Sequence, residues 1–268
     1  MRMKRTCIVI LVGLFPLLGW AQEIKSDDTI RTTGVDIRVE AEFTKHFERQ
    51  HLTLGIGEEI RARVYETNGS AYFHRSYTSV SLAWEPIPYL KIGTGYTLRL
   101  FGNKGWTDPN EFLRHRVTFS VQGQVKLGQI KLSLRERLDI NCRTDSVNPL
   151  EKSATDLRLR HRIHADYTFR AKPIKLYANC ELQHTLNTPV EYLNTVAGTD
   201  AYGQYIHKVR TDIGVRWRLN KRNALSFGYV FDYRYERNVN ITHKKQNIEL
   251  THNYDYVHAL VVRYEFDW

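Results

Sequence analysis

Residues 157–167 read Leu-Arg-Leu-Arg-His-Arg-Ile-His-Ala-Asp-Tyr, a stretch in which mostly apolar side chains at odd positions alternate with charged or polar side chains at even positions. Successive side chains of a β-strand point to opposite faces, so a period of two gives such a strand one apolar face and one charged face. An α-helix, with its period of 3.6, would mix the two classes around its surface. The stretch therefore predicts a strand that separates an apolar environment from a charged one.

The same alternation recurs along the chain from Val35 to Trp268, in eleven clear segments whose connections alternate in length. Short turns are predicted at residues 47–50, 85–88, 127–129, 171–173 and 220–223. Longer loops are predicted at residues 66–73, 102–110, 143–155, 186–203 and 237–252. Short turns on one rim and longer loops on the other are typical of an outer-membrane barrel. The fold class expected is all-β, an antiparallel up-and-down transmembrane β-barrel with short periplasmic turns and longer extracellular loops.

The alternating pattern is clearer in the sequence than the number of strands is. Single-chain bacterial barrels normally close with an even number of strands, and eleven segments are clear. The remaining candidate is the polar stretch 23–33, which would supply one more strand. About twelve strands are therefore expected, with ten as the alternative.

The N-terminus has the features of a secretory signal peptide. Arg2, Lys4 and Arg5 precede the apolar run 7–18, and Gly19-Trp20-Ala21 places small residues before a cleavage site. The alternative is an uncleaved anchor, for which the apolar run is short. The expected organisation is a signal peptide at 1–21, a leader or weak first strand at 22–33, and the barrel at 34–268. The expected location is the bacterial outer membrane.

The C-terminus carries the most specific motif of the chain. Tyr264, Phe266 and Trp268 alternate up to a terminal aromatic residue, which resembles the signal recognised by the barrel-assembly machinery, although the usual last residue there is phenylalanine. The alternative is an edge strand that ends in an aromatic residue by chance. Other outward aromatic residues, such as Trp84 and Trp217 near the short turns, are typical of interfacial girdles. Expected partners are therefore the assembly machinery during biogenesis, and outer-membrane lipid with lipopolysaccharide.

The charge balance limits the classes of partner. The chain has a net charge of +10, and removal of residues 1–21 leaves +7. A basic surface suits nucleic acid, anionic lipid or an anionic solute. Because the chain is predicted to be exported, nucleic acid is not an expected partner. Oligomeric state is left open by the sequence.

The charged faces of the strands are predicted to form a ladder of charges inside the barrel. Its members are Arg61, Arg63, Arg114, Arg116, Arg135, Arg137, Arg158, Arg160, Arg162, Arg210, Arg216, Glu40, Glu59, Asp139, Glu181 and Asp212. Such charges either neutralise one another across a closed interior or line a narrow polar pore. Basic members outnumber acidic ones by roughly two to one, so a continuous water path would favour anions. The functions expected are a structural barrel or a narrow anion-preferring channel.

Several of these charged segments carry a family resemblance. The stretches Glu58-Glu59-Ile60-Arg61, Leu134-Arg135-Glu136-Arg137 and 157–162 resemble small barrels classed as domain of unknown function 2490. The resemblance extends over nearly the whole mature chain. It implies the fold and the location, and it implies no activity.

Catalytic templates are absent from the sequence. It contains no GxSxG elbow, P-loop, HExxH motif or zinc-type cysteine and histidine spacing, so no cofactor or metal is expected. The alternative function is a lipid-modifying hydrolase of the outer membrane, with Ser76 as an outward nucleophile. The outward His161 and His258 are predicted on distant strands, which disfavours that chemistry. A soluble periplasmic β-sandwich is a third, weaker alternative.

Overall fold

The chain forms a closed β-barrel in a computed structural model, which describes residues 28–67, 71–102, 113–143, 155–186, 205–242 and 247–268. Each strand pairs with its sequence neighbour in antiparallel fashion, and the first strand pairs with the last in parallel. The predicted all-β, up-and-down barrel is therefore confirmed as a fold. The predicted signal peptide at 1–21 lies outside the described residues.

Eleven strands make up the barrel over the described residues. They are β1 (Asp28–Phe47), β2 (Leu52–Glu66), β3 (Tyr72–Ile87), β4 (Leu90–Phe101), β5 (Leu113–Leu127), β6 (Ile130–Arg143), β7 (Asp156–Thr168), β8 (Ile174–Thr185), β9 (Tyr205–Arg218), β10 (Asn223–Thr242) and β11 (Asn247–Asp267). A single turn of 3₁₀ helix, Glu48–Gln50, connects β1 to β2. No helix in the described part of the chain is long and apolar enough to cross a membrane.

The expectation of twelve strands is wrong for the described residues, and the reason lies in how the barrel closes. Residues 28–33, which were assigned to a possible extra strand, instead extend β1, and 23–27 lie outside the described residues. Strand β1 pairs with β11 in parallel from Asp28 opposite Thr251 to Thr44 opposite Asp267. Parallel strands hydrogen-bond through evenly spaced, slanted bonds, so an odd-numbered sheet closes without an unpaired edge.

The last hairpin is longer than the alternation suggested. Residues 237–252 were predicted as a loop, but Arg237 pairs with His252 and the register continues up to Thr242 opposite Asn247. Ile241 lies opposite Ile248, so β-branched residues recur even in this polar stretch. The hairpin β10–β11 therefore continues for six residue pairs into the stretch predicted as a loop.

Short turns at one rim follow from local chemistry. The β5–β6 turn places Gly128 at a φ of 64°, in the left-handed region where glycine meets no steric penalty. At the β9–β10 turn, Asn220 Oδ1 accepts backbone hydrogen bonds from Arg222 at 2.8 Å and from Asn223 at 2.9 Å. This side-chain capping of a tight turn is what asparagine supplies in such positions.

The two faces of the barrel wall differ in polarity. Large hydrophobic side chains cover the outside, with Leu260 and Ile163 each 62% exposed. Charged side chains occupy the inside, where Asp36, Asp139 and Asp232 are fully buried. The buried apolar cluster is small and lies on the inner face of the last two strands, where Val230, Ala259 and Val261 meet. The core of this protein is therefore mainly an ion-pair network.

Candidate functional site

The predicted charge ladder lies on inner-face positions of the barrel, and the register shows how its members align. Twelve of its residues line one internal cavity of about 780 Å³. These residues are Glu40, Glu59, Arg61, Arg114, Arg116, Arg137, Arg158, Arg160, Arg162, Arg210, Asp212 and Arg216. The other four members do not line the cavity. Arg63 pairs with buried Asp36, and Arg135 lies between Gln122 and Arg162 in the strand register. Asp139 and Glu181 lie beneath arginines.

One ion-pair group is centred on Asp232 of β10, whose carboxylate is fully buried. Arg210 Nε donates to Asp232 Oδ1 at 2.7 Å, and Arg38 Nη2 donates to Oδ2 at 2.8 Å. Lys208 Nζ lies 3.0 Å from the same Oδ2. One carboxylate of β10 thus holds cations from two other strands, β1 and β9, and Arg38 reaches it only because the sheet is closed between β1 and β11. We call these four residues the Asp232 group.

A second group joins β6, β7 and β8. Asp139 forms ion pairs with Arg160 and with Arg137, the latter at 3.0 Å. Glu181 binds Arg162, whose Nε donates to Oε2 at 2.9 Å, and Arg160 lies 3.5 Å from its other oxygen. Both carboxylates are buried, whereas the side chain of Arg162 is 28% exposed and that of Arg137 is 21% exposed. The arginines therefore cover the acids and present their own charge to the cavity.

A third group lies nearer the short turns, around Arg263 of β11. Its Nε donates to Glu40 Oε2 at 2.5 Å, its Nη2 to Asp212 Oδ2 at 2.8 Å, and its Nη1 to the Tyr177 hydroxyl at 2.5 Å. Arg263 is thus satisfied by three partners on three strands. Glu42 and Glu265 lie beside each other in the β1–β11 register at this end of the interior.

A fourth group contains arginines that contact the faces of aromatic rings. The Tyr77 ring has the guanidinium carbons of Arg61 and Arg99 at 4.7 and 5.5 Å from its centroid. The Phe101 ring has those of Arg99, Arg114 and Arg75 at 4.9, 4.7 and 5.2 Å. These distances are within the range of a cation–π interaction. We call Arg75, Arg99, Arg114, Tyr77 and Phe101 the arginine–aromatic cluster.

Small side chains on the β2–β5 wall leave the space that the cavity occupies. Gly55 and Gly57 on β2 face Ser81 and Ser79 on β3. Further along the same wall, Ser81 lies opposite Gly95. These small residues lie in the half of the wall near the short turns, whereas the arginines of the same strands lie nearer the long-loop rim.

Basic side chains outnumber acidic ones on the cavity surface. Among the described residues that line it, fourteen are Arg or Lys and seven are Asp or Glu. Asp139, Glu181 and Asp232 are absent from this lining because they are buried behind their arginines. The surface that a solute meets is therefore cationic, although the interior contains many compensating acids.

Sequence reasoning did not select several residues of this site. Four of them lie on the inner face of their strands, toward the long-loop rim: Arg75, Tyr77, Phe101 and Lys208. The same alternation of side chains, followed further toward that rim, predicts that they point inward. His74 is different, because an irregularity in the β2–β3 register places it 3.6 Å from buried Asp36. No period-two rule predicts a side chain at a bulge.

The outer face holds the residues considered for hydrolysis. Ser76 lies on β3, whereas His161 lies on β7 and His258 on β11. His258 is three strands away from Ser76 around the closed sheet and His161 is four, which corresponds to about 14 Å or more. His161 instead contacts Glu136 at 2.5 Å and His184 at 3.2 Å. These positions do not assemble a nucleophile with its base.

The terminal aromatic residues lie at the short-turn rim. Trp268 is 71% exposed, and its backbone N–H donates to the Thr44 carbonyl at 2.7 Å. Phe266 contacts Phe43 of β1, with ring centroids 6.2 Å apart, and Tyr264 donates its hydroxyl to Asn223. The last three aromatic residues thus belong to the seam where the barrel closes. In the described residues, no group of three His, Cys, Asp or Glu side chains has an arrangement that would hold a metal ion.

Comparisons with known proteins identify the family of this chain. No functionally curated protein matches the chain. Among solved structures, the chain is similar to the NanC porin in a rhombohedral crystal form, with 10% sequence identity, a TM-score of 0.42, and coverage of 86% of this chain and 98% of that one. The sequence pattern of the proteins of unknown function DUF2490 matches residues 38–243. The resemblance found in the charged segments is thereby confirmed, and the chain belongs to the DUF2490 family.

Proposed function

We propose that this protein is an outer-membrane β-barrel that provides a narrow path for small anions in preference to cations. The observation that carries the proposal is the burial of Asp139, Glu181 and Asp232 behind arginines, which leaves a cavity surface with fourteen basic and seven acidic side chains. A low-dielectric wall strengthens the field of such charges inside a cavity. Anions in that space are attracted, and cations are repelled.

The proposed location in a membrane is supported by the polarity of the wall. The outer face exposes large hydrophobic residues on every strand from β1 to β11, including Phe119, Ile213 and Leu260 at 50% or more. Water-soluble proteins rarely leave so large an apolar surface uncovered. The aromatic residues Trp84, Trp217 and Trp268 lie at the short-turn rim and are 48%, 50% and 71% exposed, which suits a membrane interface.

The proposed partners follow from the same surface. Lipid and the lipid portion of lipopolysaccharide are the natural covering of the apolar outer face, and the barrel-assembly machinery is proposed to recognise the terminal strand. The proposed route to this location is export with cleavage after Ala21. A hydrolytic function has no specific support, because Ser76 and the outward histidines lie on separated strands.

The test of the proposal is an ion-selectivity measurement on the mature protein in a planar lipid bilayer. With a tenfold KCl gradient, the reversal potential is expected to have the sign of chloride preference. The matched variant is Arg162→Gln, which removes a cavity-lining charge that is partly exposed, and it is expected to reduce that preference. The exposed turn variant Arg49→Gln serves as the control. Conductance at background, or a cation-selective current, would overturn the proposal; background conductance would favour a closed structural barrel.

A further inference from the structure

We propose that the arginine–aromatic cluster is a binding site for a small organic or inorganic anion that carries at least two carboxylate or phosphate groups. This inference deepens the proposed function, on which it rests, by naming the class of anion and the place where it is held. The cluster consists of Arg75, Arg99, Arg114, Tyr77 and Phe101, all on the inner face of β3, β4 and β5.

The first support is the kind of partner that these arginines have. Arg75 donates to the Tyr77 hydroxyl at 3.3 Å and contacts His74. Arg99 donates to Asn141 Oδ1 at 3.1 Å. Over the part of the chain that the structure describes, neither Arg75 nor Arg99 has a carboxylate within ion-pair distance. By contrast, an arginine in each of the other three groups is bound directly to a buried acid, as Arg38 is to Asp232, Arg160 to Asp139 and Arg263 to Asp212.

The second support is that donor groups in the cluster remain unused. Arg99 is 8% exposed, and the Nε atoms of Arg75 and Arg99 are buried without a hydrogen-bond partner. A buried N–H of this kind costs free energy unless an acceptor meets it. Arg116, a neighbour of Arg99, also donates to Asn141 Oδ1, at 3.0 Å, so this amide oxygen already accepts hydrogen bonds from two cations. Arg38, Arg137 and Arg160 also have unpartnered Nε atoms, but each of these three arginines forms an ion pair with an acid. Arg75 and Arg99 form no such pair among the described residues, and an anionic ligand would supply acceptors to them.

The third support is the way in which the rings orient the guanidinium groups. Arg99 lies between two rings, 5.5 Å from the Tyr77 centroid and 4.9 Å from the Phe101 centroid. Aromatic faces attract a cation without consuming its N–H donors, which lie in the guanidinium plane. The rings therefore stabilise several like charges at close range and leave planar donor edges that match carboxylate or phosphate oxygens.

The fourth support is space and charge number. Arg75, Arg99, Arg114, Tyr77 and Phe101 all line the cavity of about 780 Å³, which lies in the volume range of small-molecule sites. Arg75 and Arg99 have no carboxylate partner among the described residues, and two guanidinium charges exceed what a single carboxylate neutralises. A ligand with two or more anionic groups therefore matches the cluster better than a monovalent one, and a neutral ligand leaves the charges uncompensated.

The binding test uses the folded mature barrel in detergent micelles and isothermal titration calorimetry at constant ionic strength. Citrate and pyrophosphate are the multivalent probes, one with carboxylates and one with phosphates, and acetate is the monovalent probe. Citrate or pyrophosphate is expected to bind at least tenfold more tightly than acetate. A preference between the two multivalent probes identifies the anionic group that the site takes. Equal affinity for all three anions would overturn the inference.

Variants locate the site within the barrel. Arg75→Gln and Arg99→Gln are each expected to weaken multivalent binding at least tenfold, and Tyr77→Leu is expected to weaken it by removing a ring that holds Arg99. Arg99→Lys keeps the charge and removes the planar fork, so it retains the fold and still lowers affinity for the multivalent probe. The exposed Arg49→Gln variant is expected to bind like the unaltered protein. Unchanged affinity in folded Arg99→Gln would overturn the assignment.

The two proposals fail separately. Chloride selectivity in a bilayer without tighter binding of citrate or pyrophosphate would contradict the binding site in the cluster and would support the anion path. If the barrel shows no conductance but binds a multivalent anion tightly, and Arg99→Gln abolishes that binding, the binding site is supported and the anion path is contradicted.

Discussion

Arg210 and Asp232 form a two-pronged ion pair inside the barrel, in which Nε donates to Oδ1 at 2.7 Å and Nη2 donates to Oδ2 at 3.1 Å. Asp232 is fully buried, and Arg38 and Lys208 approach the same carboxylate to 2.8 and 3.0 Å. A single acid therefore holds these three cations together, and Arg234 Nη2 lies 3.7 Å from the same carboxylate. We therefore expect the stability of the barrel to depend on Asp232 more than on any one of the cations that it holds.

Asp232→Asn is accordingly expected to destabilise the barrel strongly. The change removes one charge and leaves three buried cations facing one another, and breaking a buried pair typically costs about 3–5 kcal/mol. Urea unfolding of the refolded protein in detergent, followed by tryptophan fluorescence, measures the effect. Glu85→Gln is the matched control, because Glu85 is 39% exposed and pairs with Lys91 alone at 3.1 Å. Its expected cost is below about 1 kcal/mol. Equal costs for both variants would contradict the role assigned to Asp232.

Arg160→Ala is expected to lower the thermal midpoint by less than Asp232→Asn does. Arg160 bridges the buried carboxylates of Asp139 and Glu181. After its loss, Asp139 keeps Arg137 at 3.0 Å and Glu181 keeps Arg162 at 2.9 Å, so neither acid is left alone. A loss of about 1–3 kcal/mol is expected from the remaining unpaired polar surface. Differential scanning calorimetry of both variants measures the order, and a larger loss for Arg160→Ala would contradict it.

The sequence was sufficient to predict which face of each strand is charged, because a period of two needs only neighbouring residues. Arg158, Arg160 and Arg162 were assigned to one face on that basis, and the structure places all three on the cavity wall. The partners of these residues were much harder to predict. Arg38 binds Asp232 across 194 positions of sequence, and this contact exists only because β1 closes on β11.

The strand count failed for a related reason. Local alternation identified the strands, but whether β1 meets β11 in parallel or through an extra antiparallel strand is a property of the whole sheet. The preference of known bacterial barrels for even numbers was the basis for twelve strands. The inward position of His74 was not predicted for a local reason. A bulge changes the face on which a side chain lies without changing the composition of the sequence around it.

Gly228 is expected to tolerate no side chain while Tyr177 is present. Tyr177 extends from β8 across Gly214 and Gly228 toward Arg263, and a Cβ at residue 228 would overlap its hydroxyl. Gly228→Ala is therefore expected to cost about 1–3 kcal/mol through overpacking. Gly123→Ala is the control, because no atom lies within 4 Å of its added Cβ.

A double-mutant cycle tests the cause of that cost. Tyr177→Phe removes the overlapping hydroxyl, so Gly228→Ala is expected to cost less in that background than in the unaltered protein. Urea unfolding of the four proteins gives the interaction free energy, which should be at least about 0.5 kcal/mol for residues in contact. Additive costs would show that overlap with the Tyr177 hydroxyl is not the cause of the destabilisation by Gly228→Ala.

The terminal aromatic residue is expected to matter for assembly in the outer membrane. Trp268 donates its N–H to Thr44 and lies under Lys45, whose Nζ is 4.4 Å from the ring centroid. Deletion of residues 266–268 removes these contacts and the proposed recognition signal. We expect the truncated protein to lose the difference in gel mobility between unheated and heated samples of the membrane fraction. Trp268→Phe, which supplies the usual terminal residue of the signal, is expected to assemble normally. Normal assembly of the truncated protein would contradict the role of these residues.

The parallel closure of the barrel is directly testable by a cross-link. Ile37 of β1 and Leu260 of β11 are register partners, and both face outward at 45% and 62% exposure. Adjacent strands are about 4.8 Å apart, within the Cα separation that a disulfide accepts. In a Cys142→Ser, Cys180→Ser background, Ile37→Cys with Leu260→Cys is expected to form a disulfide under mild oxidation, detected by mass spectrometry of the folded protein. The control pairs Ile37→Cys with Ile213→Cys on β9, which is 56% exposed and three strands away at about 14 Å, and is expected to remain reduced. A cross-link in neither protein would indicate that another segment lies between β1 and β11, and the eleven-stranded closure would have to be abandoned.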